Sequence, residues 1–276
     1  GLYNPLGLDE LKAYGICVRA AQAGGGIVAP PSFWHIHEES DGHRNFLSRI
    51  TLFPRYLTAI PADLFRRMYL WQLRAAVNAG CRAVIAISGH YGGVEFNLKY
   101  YGKLFQKHVR PIPIWGLADW EVIYYQDELE AYNGSHASLC ETCQLTSLHP
   151  DLPDLSRADF VPPEPYAGGR MTGLKQKVTK ERGDHIIESQ VRNLVAGAKR
   201  MLAEGPQETP AFIEYDEMEP AVERILKDSL AIPPMNPKQG VDEFRERYIT
   251  PKRKNISPEG RVMPDYVFPG VELTGS

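Results

Sequence analysis

The sequence predicts an α/β protein of three layers, a mostly parallel sheet with helices on both faces. Three observations predict it. Short apolar, strand-like stretches alternate with longer amphipathic ones through about residue 204. The stretch Ala83–Ile87 (AVIAI) is apolar throughout rather than at every second position, as in a strand buried on both faces. That run breaks at Ser88-Gly89-His90-Tyr91-Gly92-Gly93, and a helical pattern resumes through Phe96, Leu98, Tyr101 and Phe105. Glycines let the chain turn at the strand's carboxyl end, where open α/β sheets bind ligands. His90 reads there as a metal ligand or base, or as a histidine that caps the turn.

The elements follow in order. Leu8, Leu11, Tyr14, Ile16, Val18 and Ala20–Ala21 predict a helix over Leu8–Ala23, stopped by Gly24-Gly25-Gly26. Gly26–Pro31 (GIVAPP) reads as a short strand ended by prolines. Ser32–Pro54 is irregular and holds Trp34, His35, His37 and His43. If extended, it puts His35 and His37 on one face, as a metal pair or as substrate-binding or solvated loop histidines. Pro61–Ala79 is the clearest helix, with Leu64, Met68, Trp71, Leu73 and Val77 at roughly helical spacing. The helix after His90 runs to about Val109, and Pro111–Leu117 (PIPIWGL) predicts a third strand. Asp119–Tyr132 reads as a lid or a surface helix. A helix then starts near His136 and continues through Leu145 and Leu148, which brings His136 and Glu141 to one pocket at its amino end. Ser156–Lys180 reads as a long loop or β excursion, and Gly183–Glu204 as a strong amphipathic helix. The division is a domain over residues 1–204 and an extension over 205–276, with a short helical stretch near Met218–Leu230.

Composition narrows the function classes. With 43% hydrophobic and 24% charged residues the chain is ordinary for a soluble protein, and a net charge of -3 argues against nucleic acid as a partner. No apolar run approaches the roughly 18–20 residues of a membrane helix, and no signal-peptide pattern opens the chain, so no membrane partner and a cytoplasmic location are expected. The chain begins at Gly1 without methionine and reads there like the middle of a longer sequence. Four cysteines do not make a disulfide framework. The pair Cys140 and Cys143 has the CxxC spacing of redox or zinc motifs but no second ligand pair, so a structural role is expected.

Several segments resemble the creatininase (creatinine amidohydrolase) family. Ser88-Gly89-His90-Tyr91-Gly92-Gly93 is similar to its Asn-Gly-His-x-x-Asn turn. His136-Ala137-Ser138-Leu139-Cys140-Glu141-Thr142-Cys143 is similar to its His-Ala-Gly-x-x-Glu-Thr-Ser segment. Pro5-Leu6-Gly7-Leu8-Asp9 resembles Pro-Leu-Gly-Thr-Asp, Val28–Pro31 its VAPP strand, and Leu148-His149-Pro150-Asp151-Leu152 the stretch after Glu-Thr-Ser. The likeness runs from about Asn4 to Glu204. It implies a two-metal hydrolase of cyclic amides, formamides and related C–N bonds other than peptide bonds, assembled as a homo-oligomer. Asp9 would bridge two divalent ions (zinc, manganese or iron), His90 and Glu141 would each hold one, and His136 with Glu141 would do the catalysis. Without the resemblance, Asp9 reads as an N-cap or first-turn acid. Trp34, Trp115, Trp120 and Tyr91 form a candidate aromatic pocket for a small planar ring or a larger amide, or else belong to the core, and His37 is a further candidate substrate-binding residue.

Departures from the pattern are specific. The family's Glu-x-His metal pair, upstream of Asp9, is absent, and Ser88, Gly93, Gly92 and Asn133 replace family residues. Either ligands lie upstream of Gly1, or His35 and His37 substitute, or the metals are lost. The alternative function is therefore a catalytically inactive homologue that serves as a binding or assembly subunit.

Overall fold

A computed structural model describes residues 3–34, 36, 60–90, 94–123, 137, 139–158 and 174–228. The described elements are α1 (Leu8–Gly24), α2 (Ala62–Asn78), β1 (Val84–Ser88), α3 (Val94–His108), β2 (Ile114–Ala118), α4 (Leu139–Leu148), α5 (Lys180–Glu204) and α6 (Tyr215–Asp228). A 3-10 turn at Asp119–Val122 follows β2, and single turns lie at Leu155–Arg157 and Leu174–Lys177.

Strands β1 and β2 pair in parallel, with Val84 opposite Ile114 and Ser88 opposite Ala118. Alternation along them sorts side chains to two faces. Val84, Ala86 and Ile114 join a core with Phe65, Tyr69, Leu73, Leu98, Tyr101 and Phe105 from α2 and α3. Ile85, Ile87, Trp115 and Leu117 point the other way, against Ile16 of α1 and Ile187, Leu194 and Met201 of α5. Helix, sheet and helix thus form the three layers of an α/β fold. Each large side chain fully buried there contributes about 1.5–3 kcal/mol before the cost of ordering it.

Helix α6, within the segment expected as an extension, packs on the α2–α3 layer. Met218, Val222 and Ile225 are buried in that core. The approach to α6 is fixed by side chains of α2 bonded to its backbone: Arg74 Nε donates to Ile213 O at 3.0 Å, and Ile213 N donates to Asn78 Oδ1 at 2.8 Å. Arg110 donates to Ala211 O and Phe212 O at 3.1 and 3.0 Å, and pairs with Glu217.

Two strand expectations change. Gly26–Pro31 is irregular, not a strand. Gly25 and Gly26 sit at φ +83° and +117°, which turns the chain out of line, and Pro30 and Pro31 have no N–H for a sheet ladder. Ile27 is 80% exposed as a result. The strand expected over Pro111–Leu117 begins at Ile114, after both prolines, and Pro113 contributes only its carbonyl, which accepts from Val84 N at 2.9 Å.

Candidate functional site at the carboxyl end of the first strand

Helix α1 is set directly behind the end of β1. A Cβ added to Gly89 would lie 2.1 Å from Asp9 O, so only glycine allows the helix this close. Gly7, at φ +80°, is the N-cap residue and accepts from Leu11 N through its carbonyl. Asp9 is therefore a first-turn acid, not the cap, and its carboxylate turns to the strand. Its Oδ2 lies 3.3 Å from His90 Nδ1. His90 is fixed in turn by Ser88, whose hydroxyl donates to His90 O at 2.7 Å and accepts from His90 N at 3.1 Å. Ser88 thus pins the turn where the resembled motif has asparagine.

A second cluster lies beside this pair. Lys12, one turn along α1 from Asp9, is fully buried. Its Nζ donates to Glu141 Oε1 at 2.6 Å and lies 3.4 Å from Asp119 Oδ2. Burial alone would lower the ammonium's pKa, but Asp119, Glu141 and Asp9 reverse this and hold it above the ordinary lysine value. The other Glu141 oxygen, Oε2, accepts the Ala137 N–H. Ala137 adopts φ +50°, a left-handed conformation costly for alanine, and Tyr3 OH donates to its carbonyl at 2.6 Å. Gln144 Nε2 donates to Asp119 Oδ2 at 3.0 Å, and Gln190 Nε2 to Asp119 O at 2.8 Å. The network ties α1, α4, α5 and the turn after β2 together.

Sequence reasoning missed Lys12, Asp119, Gln144 and Gln190. The legible signal was Lys12 itself. Leu8, Lys12 and Ile16 recur every fourth residue on one helix face, and a lysine on a buried stripe demands partners.

The expected residues fall into three groups. Asp9, His90 and Glu141 come to one end of a broad cleft of about 1790 Å³, bounded by α1, residues 24–34, α2 and β1. That exceeds the roughly 300–1,000 Å³ usual for a small-ligand pocket, so a small substrate would fill only part of it. Trp34 lines the cleft, 54% exposed and edge-on to Phe33. Trp120 and Trp115 leave the candidate pocket: Trp120 packs against the Tyr3, Leu139 and Cys140 cluster, and Trp115 is fully buried under α5. His35, His37, Tyr91 and His136 lie outside the described residues.

The donors fit the implied metals unequally. Two ligands at about 2.0–2.2 Å on a tetrahedral zinc stand about 3.4 Å apart. The Asp9–His90 separation of 3.3 Å matches this and is long for an N–H···O hydrogen bond. Asp9 and His90 have the spacing of two ligands on one divalent ion, fewer than a complete site needs. Glu141 is engaged through both oxygens, by the Lys12 ammonium and by the Ala137 N–H. Among the described residues no group of three or more His, Cys, Asp or Glu could hold a metal ion.

Cys140 and Cys143 are buried and free in α4. Burial pushes both thiols above their ordinary pKa, opposite to the reactive thiol a redox CxxC needs. Among the described residues no helix is long and apolar enough to cross a membrane.

A family model, creatininase (creatinine amidohydrolase), matches residues 1–197. Among solved structures, a crystal structure of creatinine amidohydrolase (creatininase) superposes with a TM-score of 0.56 at 20% sequence identity, covering 75% of this chain and 86% of that one. No curated protein matches the sequence. The structural likeness carries the α/β fold, and the family match spans well over half of the chain: the protein belongs to the creatininase family.

Proposed function

We propose that the protein is an amidohydrolase that cleaves a non-peptide C–N bond in a small cyclic amide, formamide or related amide, with water as the nucleophile. The observation that carries this reading is the Asp9–His90 pair, its donor atoms 3.3 Å apart at the carboxyl end of β1 and open to the cleft. Carboxylate oxygen and imidazole nitrogen suit zinc, manganese or iron. A divalent ion held there supplies Lewis acidity, which acidifies water and polarises a carbonyl.

The chain's own residues have separate tasks in this reading. Ser88 and Gly89 hold His90 against Asp9. Glu141 accepts the Ala137 N–H, and His136, in the family's pattern, passes a proton to the leaving nitrogen. Trp34 contributes an aromatic wall at the rim of the cleft, with Tyr91 and His37 as further substrate-binding residues. The assembly proposed is a homo-oligomer, and a monomeric mass by light scattering would refute it.

The engagement of Glu141 by Lys12 favours a second reading, a catalytically inactive homologue that serves as a binding or assembly subunit. Metal content per chain, measured after removal of loosely bound ions, separates the two when paired with hydrolysis of a panel of cyclic amides and formamides. The hydrolase reading expects bound zinc, manganese or iron, and loss of both metal and hydrolysis in His90→Ala and Asp9→Asn with circular dichroism unchanged. Metal content and hydrolysis unaffected by both substitutions would sink it. A metal-free protein inert to the whole panel would favour the second reading.

A further inference from the structure

The cleft runs along one edge of β1, and among the described residues no strand pairs with that edge. On the other edge Val84 N donates to Pro113 O at 2.9 Å, and in a parallel ladder alternate residues turn their N–H and C=O to the same neighbour. Val84, Ala86 and Ser88 therefore face β2, while Ile85 and Ile87 present their N–H and C=O to the cleft. Burial differs accordingly: Ile114–Ala118 is buried throughout, whereas residues 84–87 are half-buried. A row of backbone donors and acceptors at a sheet edge is a template for another extended chain.

The walls make the edge a slot. Ala13, Cys17 and Ala20 of α1 line one side, and Tyr69 and Leu73 of α2 line the other. Both walls offer apolar contact to side chains that alternate along an extended chain. At its carboxyl end the edge runs into Gly89 and His90, beside Asp9. We propose that the substrate is an elongated amide, whose apolar, peptide-like chain pairs with Ile85 and Ile87 and brings its terminal C–N bond to Asp9 and His90. This rests on the reading of that end of β1 as the place of C–N cleavage. The five residues of β1, at about 3.3 Å each, match a chain of about five residues. A ligand of that length uses the cleft volume that a small amide leaves empty.

The test is fluorescence anisotropy with a labelled pentapeptide carboxamide of alternating valine and alanine, on wild type and Ile85→Pro. The expected result is saturable binding to wild type, weakened at least tenfold when the peptide's backbone nitrogens are methylated. Ile85→Pro, which removes an N–H from the cleft edge and none from the ladder with β2, should weaken it as much. Hydrogen exchange in wild type gives the same answer without a variant: peptide should slow the Ile85 and Ile87 amides at least tenfold and leave Ala86 unchanged. Binding indifferent to methylation, or no binding at millimolar peptide, would overturn the inference. So would Ile85 and Ile87 amides already protected without peptide, since the protein's own chain would then fill the edge. Hydrolysis of the same carboxamide, which consumes one water and yields the acid and ammonia, tests the underlying reading. Ammonia released by wild type and not by His90→Ala supports both. Peptide bound but not hydrolysed overturns the assignment of substrate. No binding, together with hydrolysis of a small cyclic amide, overturns the inference and leaves the underlying reading standing.

Discussion

The Cα of Gly89 packs against the backbone carbonyl of Asp9, so closely that an added Cβ would come within 2.1 Å of the oxygen. This contact sets the distance between α1 and β1, and with it the distance between Asp9 and His90. A methyl group there cannot be absorbed by a side-chain rotation, because the obstacle is backbone. Gly89→Ala should therefore cost roughly 1–3 kcal/mol of stability, as overpacking does, and should also weaken metal binding by prising Asp9 from His90. Urea unfolding and zinc titration measure the two effects. A variant as stable and as metal-competent as wild type would show that the contact is not needed.

Lys12 joins two carboxylates inside the protein, and removing it leaves both without their shared cation. Breaking a buried ion pair from one side costs about 3–5 kcal/mol. Lys12→Met should approach that loss in urea unfolding. The Lys12→Met, Glu141→Gln double variant should recover part of it, since one of the stranded charges is gone. Additive losses in the double variant would mean that the two residues do not interact energetically.

Much of the architecture was legible because it is written in periodicity. Leu64 to Val77 repeats at helical spacing, Ala83–Ile87 is apolar without interruption, and both became α2 and β1. Proline decided where the reading slipped: Pro111 and Pro113 are apolar enough to extend a strand pattern but have no N–H to join one. The site was legible only where a turn motif marked it. Asp9 and His90 are far apart in sequence, and nothing local says that they meet; the order of motifs did. Glu141, expected in one pocket with His136, stands against Lys12, and His136 lies outside the described residues. Lys12 could be found from sequence only through its face of α1, which Leu8 and Ile16 mark as apolar.

Helix α6 lies beyond the 197 residues matched by the family model, yet it seals the α2–α3 layer. Met218 is 0% exposed among apolar neighbours. Met218→Ala should cost about 2–5 kcal/mol in urea unfolding, the usual range for truncating a buried methionine. A loss below about 0.5 kcal/mol would mean that α6 adds little to the core.

The CxxC in α4 should be chemically quiet in the native state. Burial disfavours both thiolates, and the thiolate is the reactive form. Iodoacetamide at pH 8 should leave Cys140 and Cys143 unmodified by peptide mass mapping, and label both once urea is added. Rapid labelling of either in the folded protein would restore the redox reading.

Cys17 on α1 gives a stability change with a defined sign. Desolvation pushes its thiol from 9.0 up to about 12, although the residue is half-buried and lines the cleft. Below pH 9 the thiol is protonated in folded and unfolded chains alike, and its contribution is fully present. Between pH 9 and 12 the unfolded chain releases the proton and the folded chain keeps it, so raising the pH draws the equilibrium toward unfolding. The slope is at most about 1.4 kcal/mol for each pH unit. Other groups titrate in the same range, so the quantity to measure is the difference between wild type and Cys17→Ala. Wild type should lose stability faster than the variant as pH rises from 9 to 11, with the two curves parallel below pH 8. Parallel curves across the whole range would mean that the Cys17 thiol titrates alike in both states, and that this stretch of α1 admits water.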